Sequence, residues 1–226
     1  MPGCSLIAHG IGQRNTELVP RQPATVVWNV ETGERLLCVE GERDKTVTGP
    51  RSVDGLVREI WLSGDGNRLL IEEESSESEK NIQVYSVDSG QPLESKTFLS
   101  RRALVMDREN RLLAVGSFNG SSLLGNRSDR VELFELDTMK SLWAQKCPGG
   151  IRALAFAPDS SEVVATWSAA NEMFGGSGGV RVWNVADGDL LLADPSWPNG
   201  VRFIRYHDDG TLQAGDLLFQ PVSAKK

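Results

Sequence analysis

The sequence predicts an all-β chain: a β-propeller, or a partial propeller, of about four four-stranded antiparallel blades. Three observations carry that expectation. The pattern VRVWNVADGDLLLA over 180–193 recurs upstream as ATVVWNVETGERLL from Ala24, NIQVYSVDSGQPL from Asn81 and DRVELFELDTMKSL from Asp129. Anchored on Trp28, Tyr85, Phe134 and Trp183, the copies stand 57, 49 and 49 residues apart by subtraction, which is the spacing of a repeated supersecondary unit. Each copy reads as strand, hairpin turn, strand, with Asp187-Gly188 supplying the turn in the last. The last three are also preceded by a further pair of strand-like segments, and four short antiparallel strands per unit is the make-up of a propeller blade.

We name the four strands of a unit a, b, c and d in chain order. The first unit has strand b at Ser5–Gly10, strand c at Thr25–Val30 and strand d at Arg35–Val39, and lacks a strand a. In the second, Val57–Leu62 (VREIWL) turns through Gly64-Asp65-Gly66 into Arg68–Ile71. In the third, Arg101–Met106 turns through Asp107–Asn110 into Arg111–Val115, and in the fourth Ile151–Phe156 turns through Ala157-Pro158-Asp159 into Glu162–Thr166. The turn residues sit where hairpins need them. A last strand a, Val201–Tyr206, leads through Asp208-Asp209-Gly210 to Leu212. Pairing of this strand with strand b of the first unit completes the first blade and makes 1–226 a single propeller domain. Leu212–Phe219 stands as a competing strand b, and a ring completed by a second copy or another chain is the alternative.

ALAFAPDSSEVVATW from Ala153, followed by VRVWNVADGDLL from Val180, resembles a WD40-type or closely related bacterial propeller repeat. The Trp-Asp pair of that family stands here as Trp28-Asn29, Tyr85-Ser86, Phe134-Glu135 and Trp183-Asn184, and no unit carries its Gly-His dipeptide before strand a.

A net charge of -7 disfavours nucleic acid and anionic membrane as main partners, since both reward a basic face. Cys4, Cys38 and Cys147 are odd in number, widely spaced and free of any CxxC pattern, so neither a disulfide framework nor a zinc site is indicated. With no secretory signal pattern and no apolar stretch approaching the roughly 20 residues of a membrane span, a cytoplasmic location is expected.

Two constellations stand out. The second residue of every strand a is arginine: Arg58, Arg102, Arg152 and Arg202. Each presents a planar fork of donors suited to carboxylate or phosphate. Structural pairing with acidic neighbours such as Asp129 or Glu172 is the competing role. The b–c connections are read as long loops over 12–24, 72–80, 119–130 and 169–179, and they hold Leu123, Leu124, Met173 and Phe174. Trp197 is read in the d–a loop over 194–200, which opens on the same face. Apolar and aromatic residues in polar loops are typical interface anchors. Burial of these residues against one another is the alternative. The acidic run from Glu72 to Glu79 reads as a solvated loop, and Trp28, Trp61, Trp167 and Trp183 read as blade-to-blade packing.

Asp187-Gly188-Asp189 and Asp208-Asp209-Gly210 lack the six to eight oxygen ligands of a calcium loop and read as turns. His9 and His207 make a poor metal site without a third ligand. No GxSxG, HExxH or phosphate-binding loop is present. The expectation is a non-catalytic protein-interaction scaffold without a cofactor, binding a protein partner, acidic by charge complementarity, through the b–c and d–a loop face. A homodimer that completes the ring belongs to the same reading. An enzymatic or small-anion-binding propeller, and a remnant of a longer propeller, remain as alternatives.

Overall fold

The computed structural model describes residues 5–10, 24–40, 56–74, 79–118, 129–168, 178–197, 201–215 and 217–219. Among them all extended regular structure is β, and the chain divides into two compact units, Met1–Phe98 and Leu99–Lys226.

The first unit holds two antiparallel sheets. Strands β1 (Ser5–Gly10), β2 (Ala24–Asn29) and β3 (Arg35–Glu40) form a three-stranded sheet, and β4 (Leu56–Leu62), β5 (Arg68–Glu74), β6 (Glu79–Ser86) and β7 (Pro92–Leu99) a four-stranded one, each paired in chain order. Because side chains alternate along a strand, one row of each sheet meets the other. Val27 and Leu37 pack with Leu69, Ile71 and Val87, flanked by Ile60, Leu62 and Tyr85.

In the second unit β8 (Arg101–Met106), β9 (Leu112–Phe118), β10 (Asp129–Glu135) and β11 (Ser141–Cys147) form one four-stranded sheet. The next consists of β12 (Gly150–Phe156), β13 (Glu162–Ser168), β14 (Gly178–Asn184) and β15 (Leu190–Trp197). Strands β16 (Ile204–Tyr206), β17 (Leu212–Ala214) and β18 (Leu217–Phe219) make a three-stranded sheet. The middle sheet is covered on both faces. Leu154, Phe156, Val163, Ala165 and Trp183 pack against Ala114, Val131 and Leu133 on one side. On the other, Ala155, Val164, Val180 and Val182 pack against Ile204, Leu212 and Ala214.

Two turns close each four-stranded sheet at one end, each three-stranded sheet keeps one of the two, and all share a backbone. The a–b turns put Gly66, Asn110, Ser160 and Gly210 at positive φ, and the c–d turns do the same with Gly33, Gly90, Met139 and Gly188. Side chains fix them. Asp65, Asp159 and Asp209 each accept the N–H two residues on, while in the β8–β9 turn the buried Asp107 accepts from Arg111 N and Leu112 N. Asn29 and Asn184, which stand where the resemblance places aspartate, accept N–H groups of their c–d turns.

Several boundaries differ from the sequence reading. The ends of the run from Glu72 to Glu79 lie in strands, since β5 continues to Glu74 and β6 begins at Glu79, and the fully buried Glu72 carboxylate is matched by Lys80 Nζ at 3.1 Å across the ladder; 75–78 lie outside the described residues. The loops read over 119–130 and 169–179 likewise give up Asp129 and Gly178 to strands. Trp197 is not in a loop but ends β15 opposite Gly178; Pro195 is tolerated inside that strand because β15 is an edge. The last strand a covers only Ile204–Tyr206, since its partner β17 offers three residues, and β17 pairs in turn with β18.

Candidate functional site

The recurring arginine sits on a β-bulge. The β4–β5 register slips between Val57 and Glu59, the β8–β9 register between Arg101 and Ala103, and the β12–β13 register between Ile151 and Ala153. The residue passed over is Arg58, Arg102 or Arg152. A bulge bends its strand and re-aims the side chain it carries, so the repeat holds these arginines at the strand entry, at the end of the sheet where the b–c and d–a connections run. Arg58 is placed by register alone.

Of the three arginines in the second unit, Arg102 lies on β8, Arg152 on β12 and Arg202 just ahead of β16, and β12 packs beside both β8 and β16. Their environments differ. Arg102 is exposed. Arg152 is half-buried, and its Nε donates to the Ser168 hydroxyl at 2.7 Å. The buried Asp129 carboxylate accepts Ile151 N at 2.8 Å and so ties β10 to β12. Arg202 precedes β16 and is exposed. The backbone on either side of it is anchored, with the buried Thr166 hydroxyl donating to Val201 O at 3.0 Å and Gly215 N donating to Phe203 O at 3.0 Å. Beside it Phe203 is exposed, with the Arg205 guanidinium 5.6 Å from its ring centroid. Sequence reasoning missed Phe203; it stands immediately before β16, exposed, at the position where β8 and β12 carry Ala103 and Ala153.

Trp167 closes the same end of the middle sheet. A Cβ on Gly149 would meet its ring at 2.9 Å and one on Gly179 at 2.6 Å, so both glycines are required by close packing. Its buried Nε1 has no hydrogen-bond partner among the described residues. Leu123, Leu124, Met173, Phe174 and Glu172 lie outside the described residues, and for Trp197 the strand position alone is described.

The opposite, turn-bearing end has different chemistry. A cleft of about 270 Å3 there is lined by Asp159, Glu162, Tyr206, Asp208 and Asp209 among others. Burial, and the Glu162 carboxylate to which it donates at 3.0 Å, push the Tyr206 hydroxyl up, so it remains a donor. Among the described residues no group of three His, Cys, Asp or Glu side chains is placed to hold a metal ion. Cys147 is buried, which pushes its thiol up to about 12, while Cys38 is exposed.

Fold and site together define an all-β protein of four-stranded antiparallel sheets with a repeated arginine at the strand entry. No family model matches the sequence, and no curated protein matches it. Solved structures of propeller type do match in fold. One is hydrazine synthase of Kuenenia stuttgartiensis, with a TM-score of 0.58 at 13% identity over 88% of this chain and 65% of that one. Another is the complex of KlAtg21 with the coiled-coil of AgAtg16, with a TM-score of 0.60 at 12% identity over 89% of this chain and 58% of that one. The chain spans less than two thirds of the length of either.

Proposed function

We propose that this chain is a WD40-like propeller, or part of one, forming a single array over 1–226 that serves in the cytoplasm as a non-catalytic protein-interaction scaffold. The partner binds at the end carrying the b–c and d–a connections. The observation that supports this most is the repeated bulge: Arg102 on a bulge and Arg202 ahead of β16 are both exposed and present donors toward solvent, while Arg152 is held between them by Ser168. Exposed guanidinium groups next to an exposed aromatic ring are characteristic of protein interfaces, and their charge favours an acidic partner segment. The complex of KlAtg21 with a coiled-coil adds a propeller-type precedent for protein binding.

The test is the double charge reversal Arg102→Glu with Arg202→Glu, compared with the unaltered chain in capture of binding proteins from its own cell extract. Loss of a captured protein by at least tenfold, with the melting temperature unchanged, is the expected result, because rim arginines act on association rather than folding. Equal capture by both chains, or loss of folding in the variant, would contradict the reading. That the chain belongs to a larger propeller completed by another chain is a second reading, supported by its span of less than two thirds of both structural neighbours.

A further inference from the structure

The side chains of strand c obey a directional rule. The anchor aromatic turns to the sheet that precedes it in the chain, and the residue before it turns to the sheet that follows. Tyr85 packs toward Val27 and Leu37, and Trp183 toward Val131 and Leu133. Val182 packs toward Ile204 and Leu212. Every described sheet-to-sheet cluster therefore joins a following face to a preceding face. Where a sheet takes the middle place, as β12–β15 does, the anchor Trp183 is 1% exposed, yet Trp28 at the same repeat position is 38% exposed. Trp28 thus stands on an open face of the preceding kind, with Val26 beside it and the exposed Cys38 across the ladder from Val26.

The sheet β16–β18 carries the opposite kind of open face. Ile204 turns toward β12–β15. Phe203 and Arg205 occupy the positions of Ala153 and Ala155, which turn to the following sheet; here they are exposed, Phe203 by 49%. An indole face on one side and a guanidinium lying over a phenyl ring on the other are complementary, since cations are attracted to aromatic faces. Two Trp28 faces meeting each other would join faces of one kind, which no described cluster does.

We propose that the chain associates with itself head to tail, the Trp28 face of one copy receiving the Phe203–Arg205 face of a second copy. Such a contact is heterologous, with each copy offering one face of each kind. That property gives the test. Trp28→Glu blocks one face and leaves the other intact; Phe203→Glu does the reverse. Light scattering after size exclusion is expected to show a mass that rises with concentration for the unaltered chain. Each variant alone is expected to stay at the chain mass of 24.7 kDa, and an equimolar mixture of the two to form a species of twice that mass. Self-association of Phe203→Glu at the unaltered level would overturn the proposal in favour of like faces pairing. A constant single-chain mass for the unaltered protein at all concentrations would overturn it outright. Should either variant fail to fold, site-resolved maleimide labelling of the unaltered chain decides the matter: Cys38 is expected to become several-fold slower to label as concentration rises, and a concentration-independent rate contradicts the contact.

Discussion

Single residues show how closely the repeat is packed. Trp143 in β11 donates its indole N–H to Val185 O at 2.8 Å, linking two sheets of the second unit, and its ring lies against Gly188. Gly188 has φ +76, and a Cβ there would meet Trp143 Cγ at 2.9 Å. Gly33 holds the equivalent turn position at φ +70 with nothing within 4 Å. Left-handed backbone costs a side chain about 1–2 kcal/mol, and forced overlap in a packed site typically adds about 1–3 kcal/mol. Urea unfolding is therefore expected to show Gly188→Ala losing clearly more stability than Gly33→Ala, although the two changes are the same in sequence. Equal losses would mean that the Trp143 ring moves aside freely. Trp143 carries no repeat signature, because Leu37, Glu94 and Leu192 hold its position in the other units. Its role depends on a carbonyl 42 residues away and is not legible locally.

At the scale of the element, the a–b turns couple the fold to pH. Asp159 is held below its ordinary 3.8 by the Ser161 hydroxyl and N–H. Asp65 is raised by burial but lowered more by Ser63 and Asn67, and Asp209 is lowered by Thr211. For a carboxylate whose folded value is depressed, the stabilising contribution is complete above the unfolded value and is lost as pH falls through the folded one. Unfolding midpoints in urea are thus expected to decline as pH drops below about 3.8, the carboxylate reference value. Ser161→Ala is expected to reduce the Asp159 share of that decline while lowering stability at neutral pH; an unchanged acid profile would remove the turn from the explanation. Turn positions and strand order were legible in the sequence, because positive-φ glycines and alternating apolar residues write them locally. The bulge under Arg58, Arg102 and Arg152 was not, since a bulge exists only relative to the partner strand. Nor was the burial of Glu72, which rests on Lys80 across the ladder.

For the molecule as a whole, the sequence disclosed a repeat but not its coverage. Trp28 and Trp183 stand in nearly identical patterns, VVWNV and VRVWNV, and differ in burial because the sheet that covers Trp183 comes from elsewhere in the chain. The arginines were legible as a recurrence; their separate fates, Arg152 tied to Ser168 and Arg102 and Arg202 turned to solvent, follow from neighbours that the recurrence does not specify. Salt should weaken any association that depends on the exposed Arg102 and Arg202.

The central claim is that these arginines contact a protein partner. The measurement that meets it most directly is phenylglyoxal footprinting, read residue by residue by mass spectrometry, of the chain alone and with its captured partner. The account expects Arg102 and Arg202 to react in the free chain and to be protected several-fold in the complex, while the exposed Arg108 and Arg111 at the turn-bearing end react equally in both. Protection of Arg108 and Arg111 with Arg102 and Arg202 unchanged would place the partner on the opposite end and contradict the account.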